Sequence, residues 1–518
     1  MTLQRKTLTA ALASCLAFAV GSTHAQTPEP EATLGGELRV GIARDVVNMV
    51  PWVAQGASVY IVQQNVYDNL ITYDDEGNLT GELAESWEIV DPTTYVLKLR
   101  QNVVFHDGDT FDAEDAKVSL DRMRDPTGTS ALASQLSSIA EVNVIDPYTI
   151  ELKLSEPNVV VLSILASSTA HVLSKEWLET EPDLTTEMNG TGPFMFIEFE
   201  PGVRTVLERN PNYWKEGLPY LDRLVAIPYA DDSSRINALR SGEVNFIEYV
   251  PYVEFDSLRQ DDQFDLQSGV GPYNILVLNI NEEPFDDIRV RQALNYLIDR
   301  EQLIMLVSEG EGTPMQVGLL QPDDPFYSAD LETWTFDPDR ALELIQEAGY
   351  DGFSDIGFTL TSSTVTIHQD MATVVQALLQ GFGMNVSIEI VDVPTLLEYR
   401  GNGAYVAMMD GYSNAYQDPD AYSRYFETGG AGYANAVGLS DEILDEMIDR
   451  GRAATDVAER KEAYHEFEER LIELAPWYFG FFRPQGEAMI QDVNGYRRWP
   501  SGLGGQSTSR MEYVWIQQ

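Results

Sequence analysis

The order of helix and strand patterns after residue 285 most constrains what this chain can fold into. Asp337-Pro338 is followed by apolar residues at helical spacing and then by Gly349, which predicts a capped helix. Apolar residues recur at helical spacing over 291–304, and Ser440 begins another helical pattern. Strands are predicted between these helices at 358–360, 386–390 and 405–409. Such alternation of helices and short strands predicts an α/β layer domain.

The earlier half of the chain is dominated by alternation of period two, which is typical of strands. Such patterns occupy 35–42, 95–100 and 150–154, and Asp-Pro turns precede the second and third. We predict half-buried antiparallel strands there. A length of 518 residues allows two or three domains, and a hydrophobic fraction of 44% is that of a globular protein.

The charge balance excludes two classes of function. The sequence has 33 Lys and Arg against 83 Asp and Glu, a formal net charge of −50. A chain this acidic repels phosphate backbones and anionic lipid surfaces, so we expect neither a nucleic-acid partner nor a membrane-surface role. The acids are spread along the whole chain, which favours a solvated surface over a set of sites.

The first 25 residues have the pattern of a secretory signal peptide. Arg5 and Lys6 precede an apolar run over 8–20, and a small-residue cleavage site ends at Ala25. Residues 26–34 form a polar, proline-bearing linker. No later stretch has the ~18 uninterrupted apolar residues of a membrane helix, so we expect an exported, periplasmic protein.

The single cysteine leaves one alternative open for the exported chain. Cys15 lies inside the apolar run, and we interpret it as a residue of the signal peptide. The alternative is lipid anchoring at Cys15. Cleavage after Ala25 would leave no cysteine, so the exported protein would rely on its core rather than on disulfides.

Sequence motifs for catalysis and for metal binding are missing. The histidines beyond the signal peptide lie far apart in the sequence: His106, His171, His368 and His465. A zinc or nickel cluster is therefore not expected. No nucleophile elbow, Walker loop or dinucleotide fingerprint occurs, and we interpret paired acids such as Asp74-Asp75 as solvated turns. We predict no enzyme activity, no cofactor and no metal.

A series of motifs spans about residues 35 to 500. It comprises Tyr67-Asp68-Asn69-Leu70, Leu83-Ala84-Glu85-Ser86-Trp87, Tyr95 to Arg100, Val104-Phe105-His106-Asp107-Gly108, Ala113-Glu114-Asp115-Ala116, Gly190-Thr191-Gly192-Pro193-Phe194, Arg209-Asn210-Pro211-Asn212-Tyr213-Trp214, Leu239 to Val244, Pro284 to Leu294, Ile298-Asp299-Arg300, Ala348-Gly349-Tyr350 and Asp418-Pro419. In this order, the motifs closely resemble the family 5 extracytoplasmic solute-binding proteins of ABC importers, which include dipeptide-, oligopeptide- and nickel-binding proteins.

The resemblance implies a two-lobed periplasmic-binding-protein fold of the cluster C type. Its lobes are joined by a hinge, and an extra subdomain is inserted in the N-terminal lobe. We expect lobe I at 35–55, 196–270 and 490–518, the inserted subdomain at 56–195, and lobe II at 271–489. The ligand would bind in the cleft between the lobes, which close around it.

One departure from the family pattern concerns the ligand. In peptide-binding relatives, the first acid in Gly-Trp-x-x-Asp-x-x-Asp/Glu-Pro holds the α-ammonium of the peptide. The corresponding segment here runs from Gly411 to Pro419, and Ala415 occupies the place of that acid. A buried ammonium without a carboxylate is costly. Either Asp418, Asp410 or Asp420 replaces the missing acid, or the ligand is not a free-amine peptide.

Position alone suggests the other ligand-binding candidates. These are Tyr412, Asn414, Tyr416 and Asp418 around Ala415, Tyr273 and Asn274 where the chain crosses between lobes, and Asn48 and Trp52 after the first strand. Aromatic and amide side chains there suit an uncharged or sugar-like ligand. Packing in the hinge or the core is the alternative for each of them.

The resemblance implies a substrate-binding component that delivers a peptide or similar polar solute to permease subunits in the inner membrane. We expect a monomer. Two alternatives share the fold: a protein for a non-peptide solute, such as an oligosaccharide or an opine, and a ligand-sensing receptor subunit. A secreted hydrolase would need a nucleophile or metal constellation that the sequence does not show.

Overall fold

The structure is a computed structural model that describes residues 32–46, 48–53, 56–316, 318–322, 324–331, 334–414, 416–429, 437–498 and 510–517. The predicted signal peptide, Cys15, most of the predicted linker and Ala415 lie outside the described residues. No helix in the described part of the chain is both long and apolar enough to cross a membrane.

The described strands fall into four sheets. They are β1 Glu37–Ile42, β2 Ile71–Tyr73, β3 Leu79–Gly81, β4 Ala84–Asp91, β5 Thr94–Leu99, β6 Ile139–Asp146, β7 Thr149–Leu154, β8 Phe194–Glu200, β9 Arg204–Arg209, β10 Arg223–Pro228, β11 Phe246–Ile247, β12 Phe264–Leu278, β13 Thr313–Pro314, β14 Gly357–Ser363, β15 Asn385–Val391, β16 Ala407–Tyr412, β17 Trp477–Ile490, β18 Val493–Asn494 and β19 Trp515–Ile516.

The helices lie mainly between the strands. They are α1 Ala57–Val66, α2 Ala113–Met123, α3 Val161–Leu165, α4 Lys175–Glu179, α5 Asp232–Arg240, α6 Phe255–Arg259, α7 Ile288–Leu297, α8 Arg300–Ser308, α9 Pro338–Glu347, α10 Thr366–Gly381, α11 Val393–Asn402, α12 Ser423–Phe426, α13 Glu442–Ala453 and α14 Val457–Leu474. Short 3-10 turns occupy Tyr252–Glu254, Phe353–Asp355 and Pro419–Tyr422.

The largest sheet has eleven strands and is organised around its two longest members. Its order is β15-β14-β16-β12-β17-β11-β1-β10-β9-β8, and β13 also pairs with β17. The antiparallel pair β12 and β17 therefore joins two parts of the molecule. The first part contains β1 and β8 to β11, and the second part contains β14 to β16. The register of this pair shifts between Val270 and Tyr273. The chain enters residues 279–476 through β12 and leaves them through β17.

The smaller sheets lie within or beside the first part. The antiparallel sheet β4-β5-β7-β6 contains two of the strands predicted from alternation, and β2-β3 and β18-β19 form two-stranded pairs. The two ends of the described chain meet here, because the Thr33 hydroxyl donates to the Ile516 carbonyl at 2.8 Å. The first and last described segments thus lie on the same part of the molecule.

The apolar core follows the same division. One buried cluster gathers residues from Leu38 to Val514 that belong almost entirely to the first part, and a smaller one packs around α5 and α6. Two further clusters use only residues between Tyr273 and Phe482. The large sheet thus carries separate cores on either side of β12 and β17.

Local sequence explains most of the helix boundaries. Asp337 caps α9 by accepting from the Arg340 amide at 2.9 Å, with Pro338 at the first helical position, as predicted. The prediction of one helix over 291–304 is wrong, because two helices occupy that span. Ile298 is extended, and the Asp299 side chain accepts from the amides that open α8, which ends α7 there.

Candidate ligand-binding site

Four polar or flexible positions converge where β12, β16 and β17 meet. Asn274 of β12 lies opposite Gly411 of β16 and Phe481 of β17. A Cβ atom at Gly411 would lie 2.8 Å from Asn274 Oδ1 and 3.2 Å from His368 Nε2, so the three groups share one small space. Arg483 follows two residues after Phe481 on β17. We call this region, defined by Asn274, His368, Gly411 and Arg483, the seam.

Asn274 is a buried amide that the described chain leaves unsatisfied. It is fully buried, and neither Nδ2 nor Oδ1 has a hydrogen-bond partner among the described residues. A buried polar group without a partner costs free energy, so such groups in native proteins mark strain, ligands or water. This sequence-predicted residue therefore lies where a polar ligand could be received.

His368 stands beside Asn274 at the start of α10. Its Nδ1 lies 3.0 Å from the Ser363 hydroxyl at the end of β14. Burial lowers the pKa of His368 to about 4; the guanidiniums of Arg483 and Arg44 also lower it, and Asp410 opposes them. His368 is therefore a neutral imidazole at pH 7, with charges of both signs acting on it.

Tyr273 and Tyr412 pack in an aromatic cluster beneath the seam. They face each other across β12 and β16 with ring centroids 6.0 Å apart, and Tyr425 and Trp477 pack on both. Both tyrosines are buried. The Tyr412 hydroxyl donates to Asp410 Oδ2 at 2.6 Å. Tyr412 therefore ties the aromatic cluster to a charged pair.

The three acids considered as replacements for the residue at Ala415 are all bound to arginines. Asp410 lies 3.0 Å from Arg400. Arg460 donates from Nη2 to both Asp418 oxygens at 2.8 and 2.9 Å. Arg452 Nε donates to Asp420 at 2.7 Å, and the side chains of all three acids are at most 7% exposed. Each carboxylate is thus neutralised within the protein.

Tyr416 and Asn414 occupy different surroundings. Tyr416 is fully buried in the cluster of the first part, where its hydroxyl donates to Asp420 at 3.2 Å and accepts from Gln135 at 3.3 Å. The next amide, that of Gln417, donates to the Tyr73 hydroxyl at 3.1 Å. Asn414 is partly exposed and interacts with the Tyr422 hydroxyl. The segment around Tyr416 thus bridges the two parts of the molecule.

Asn48 and Trp52 lie in the loop after β1, as the sequence indicates. Asn48 Oδ1 accepts from the Val50 amide at 3.0 Å. Trp52 is buried, its indole Nε1 donates to the His171 carbonyl at 3.0 Å, and the Arg122 guanidinium lies 6.0 Å from its ring. In this structure, both side chains therefore serve local contacts of the first part.

Two arginines at the seam were missed by the sequence analysis. Arg483 is the one basic residue in the largely apolar strand β17, and that contrast is the signal that could have identified it. Its guanidinium lies 5.9 Å from the Tyr249 ring. Arg44 is exposed just after β1, where the preceding amide, of Ala43, donates to Glu248 Oε1 at 2.7 Å. The sequence has no local signal for Arg44, and its place near the seam follows only from the order of the strands.

Buried carboxylates flank this edge and have partners of their own, although Glu248 Oε2 has none among the described residues. Glu248 Oε1 also accepts from the Ser58 hydroxyl, and Glu487 contacts Arg498. Burial raises the pKa of Glu248 and that of Glu487, the latter to about 7. Both side chains are fully buried, so they support the walls of the site rather than its surface.

A cavity of about 410 Å³ lies in the first part, away from the seam. Its basic residues include Arg510, which lies 2.5 Å from Glu82, and Lys215, which lies 2.5 Å from Glu512. Each of these two cations is thus neutralised by a nearby carboxylate of the protein. No group of three or more His, Cys, Asp or Glu side chains in the described ranges is placed to hold a metal ion.

The comparisons with known proteins identify the class. The profile of the bacterial extracellular solute-binding proteins, family 5, matches residues 78–434. This chain belongs to that family, and its fold is that of the periplasmic binding proteins. The resemblance of the sequence motifs and the predicted α/β fold class are therefore confirmed.

Particular relatives support the same assignment. The glutathione-binding protein GsiB of Pectobacterium atrosepticum is 28% identical over 493 residues, covering 92% of this chain and 93% of the relative. GsiB of Escherichia coli K12 is 28% identical over 451 residues, covering 85% and 87%.

Solved structures agree with the sequence comparison. The PBP AgaA of A. tumefaciens R10, in complex with agropinic acid, has a TM-score of 0.85 at 29% identity and covers 93% of this chain and 99% of its own. DppA of Helicobacter pylori, in complex with the peptide STSA, has a TM-score of 0.84 at 24% identity, with coverages of 94% and 99%. The fold described above is thus shared over nearly the full chain.

Proposed function

We propose that this protein is the periplasmic substrate-binding component of an ABC importer, which captures a polar small solute at the seam and presents it to the permease. The division of the large sheet by β12 and β17 carries the proposal, since separate cores lie on either side of these strands. Two bodies joined by a pair of strands can rotate about that joint. The register shift between Val270 and Tyr273 provides an irregular point in it.

The proposed division of the chain follows the sequence boundaries. Residues 1–25 would be the signal peptide and 26–34 a linker. Lobe I would use 35–55, 196–270 and 490–518, with 56–195 as an inserted subdomain that contains the sheet β4-β5-β7-β6. Lobe II would use 271–489, which contains the two clusters between Tyr273 and Phe482.

Ligand capture in this scheme is a shift of population. A ligand that contacts both lobes binds the closed form more tightly than the open form, so it moves the equilibrium towards closure. The permease then receives the closed, loaded form. Recognition without bond making agrees with a family of binding proteins. We propose a monomer without enzyme activity or cofactor.

The relatives suggest the range of solutes. The names of the relatives and neighbours record glutathione, peptides and an opine-related acid as their ligands. We propose that the solute here belongs to this range of peptide-like and opine-like molecules.

A combined binding and shape measurement tests the function. Protein freed of ligand by unfolding and refolding would be titrated with glutathione, di- to hexapeptides and agropinic acid, with the melting temperature and the small-angle scattering as readouts. A saturable rise in melting temperature with a smaller radius of gyration is expected, because the ligand binds only the folded, closed state. A saturable rise without any compaction would contradict capture by closure, and no rise with any member would contradict the proposed solute range.

A further inference from the structure

Two arginines lie at this edge of the large sheet: Arg483, which belongs to the seam, and Arg44, which follows β1. Neither Arg44 nor Arg483 forms an ion pair with a carboxylate in the described ranges. This differs from Arg400, Arg452 and Arg460, each of which is bound to an aspartate. In a chain of net charge −50, two arginines left without carboxylates at one place indicate that something else supplies the negative charge.

Arg483 is held ready to donate. Its Nε atom is buried and lacks a hydrogen-bond partner among the described residues, although the guanidinium packs near the Tyr249 ring at 5.9 Å. Opposite it, the close approach of Arg483 to the other strand is fixed by Gly271, where a Cβ atom would lie 2.8 Å from the Arg483 carbonyl. The contact with Gly271 fixes the backbone of Arg483, and Nε of its side chain is an unused donor among the described residues.

Arg44 approaches the same place from the other lobe. The bond from the Ala43 amide to Glu248 holds this part of the loop after β1 against the residue before Tyr249. Arg483 lies 5.9 Å from the Tyr249 ring, and Glu248, the residue before Tyr249, binds the residue before Arg44, so the fold brings both arginines to one region. Arg44 belongs to proposed lobe I and Arg483 to a strand that passes between the lobes, so an anion between them would favour closure.

The seam also offers uncharged partners beyond these two cations. Asn274 has a free amide donor and acceptor among the described residues, and His368 has Nε2 directed at the same space near Gly411. The neutral imidazole and the amide suit hydroxyl or amide groups of a ligand. The acids near the seam do not suit an ammonium: Asp410, Asp418 and Asp420 are paired with arginines, and Glu248, whose Oε2 lacks a partner among the described residues, already has the positive charges of Arg235 and Arg44 near it.

We propose that the ligand is a small organic acid without a free α-ammonium, whose carboxylate is bound by Arg44 and Arg483 and whose hydroxyl or amide groups face Asn274 and His368. This inference rests on the proposed function and names its substrate class. It selects the second of the two alternatives left by Ala415, a ligand other than a free-amine peptide.

The test uses matched ligands that differ only in charge. The refolded, full exported chain would be titrated with free dipeptides, their N-acetyl forms and their N-acetyl amides, and in parallel with agropinic acid and neutral oligosaccharides. Calorimetry and the melting temperature are the readouts. We expect saturable binding by acids that lack an amine and none by the amides or the neutral sugars.

Variants of the arginines locate the effect. R44Q and R483Q are each expected to weaken binding of the best acid by about 10- to 100-fold, because each removes charge-assisted hydrogen bonds. R483K should retain more affinity than R483Q. R340Q, which removes a surface charge of α9, is the matched control and should bind as the wild type does. Since Arg44 is exposed, R44Q also keeps the test valid if R483Q fails to fold.

The outcomes separate the two levels of the proposal. Saturable binding of free peptides that disappears on N-acetylation, or binding of neutral sugars alone, would overturn the acid class while leaving the solute-binding function intact. Acid binding unaffected by R44Q and R483Q would overturn the placement of the carboxylate. No binding in any class would count against the proposed function itself.

Discussion

The Asp410 carboxylate connects two side chains at the bottom of the seam. It accepts from the Tyr412 hydroxyl and from Arg400; Asp410 is buried, and the Arg400 side chain is 12% exposed. A buried pair is costly to break, because the remaining partner keeps an uncompensated charge in a poorly solvated place. The pair thus fixes the geometry of β16 more than it adds net stability.

Replacement of Asp410 tests this role. We expect D410N to lower the free energy of unfolding by about 3 kcal/mol, because Arg400 stays largely buried without its counter-charge. Urea denaturation measures the change. E343Q is the control, since Glu343 pairs with Arg340 at 2.9 Å on an exposed surface and its loss should cost less than about 0.5 kcal/mol. Equal losses of unfolding free energy in D410N and E343Q would show that the Asp410–Arg400 pair contributes no more to stability than an exposed pair does.

Gly411 has a separate steric role. An alanine Cβ there would lie 2.8 Å from Asn274 Oδ1, closer than van der Waals contact allows. We expect G411A to cost about 1–3 kcal/mol and to weaken ligand binding, since Asn274 and His368 would have to move. Denaturation and calorimetry measure the two effects. G381A at the end of α10 meets nothing within 4 Å, so it should cause no loss; a loss there as large as in G411A would contradict the steric reason.

At the scale of elements, α14 holds a neighbouring loop through one buried acid. Glu468 Oε1 accepts from the amides of Leu319 and Leu320 at 2.9 and 3.0 Å. Burial raises the pKa of Glu468 to about 8 from an ordinary 4.5, although these bonds oppose the shift. The carboxyl group is therefore protonated in the folded protein at neutral pH.

The sign of the resulting pH dependence follows from that shift. As the pH rises from 4.5 to 8, the unfolded chain releases this proton before the folded protein does, so folding loses stability over that window. We expect E468Q to remove this loss and to be more stable than the wild type at pH 8, relative to pH 5, by on the order of 2 kcal/mol. Denaturation at both pH values measures it.

The neighbouring acid supplies the control for Glu468. Glu469 is exposed on the same helix, so E469Q should change stability equally at pH 5 and pH 8. A pH profile of E468Q that runs parallel to that of the wild type would show that Glu468 does not carry the effect.

Elements whose signals are local were predictable from the sequence. Asp337 and Pro338 act on adjacent amides, and the α9 boundary followed from them. At Asp299 the apolar repeat continues across the residue and does not show the break between the helices. The Asp299 side chain caps α8 there, and α7 ends before it. The motif resemblance gave the fold class, because motif order is a property of the whole chain.

The candidate site was only partly predictable. Asn274 was placed at the seam from position alone, and its unsatisfied amide agrees with that interpretation. The pairing of Asp418 with Arg460 joins residues far apart in sequence, so no spacing rule could show that this acid is occupied. Arg44 was missed for a similar reason, since only the fold brings the loop after β1 to Glu248, whereas Arg483 had a signal in the sequence as a basic residue within an apolar strand.

At the scale of the whole molecule, the net charge of −50 opposes compaction. Salt screens that repulsion, since the Debye length falls from about 30 Å at 0.01 M to about 8 Å at 0.15 M. We expect the melting temperature of the ligand-free protein to rise over this range of NaCl, while the affinity for an anionic ligand falls. Thermal melts and calorimetry in the same buffers measure both. A flat or falling melting temperature would show that the surface acids do not repel one another appreciably.

The neighbouring positions of the first and last described segments have a mechanical consequence. Thr33 and Ile516 meet on the first part, and residues 279–476 hang from it through β12 and β17 alone as far as the backbone is concerned. A force that pulls the ends apart is therefore borne by the first part, and it reaches residues 279–476 only by unzipping the β12–β17 ladder one pair at a time. In a single-molecule pulling experiment, residues 279–476 would be extended only after the β12–β17 ladder has separated. The force at which they are released would therefore measure the strength of that ladder.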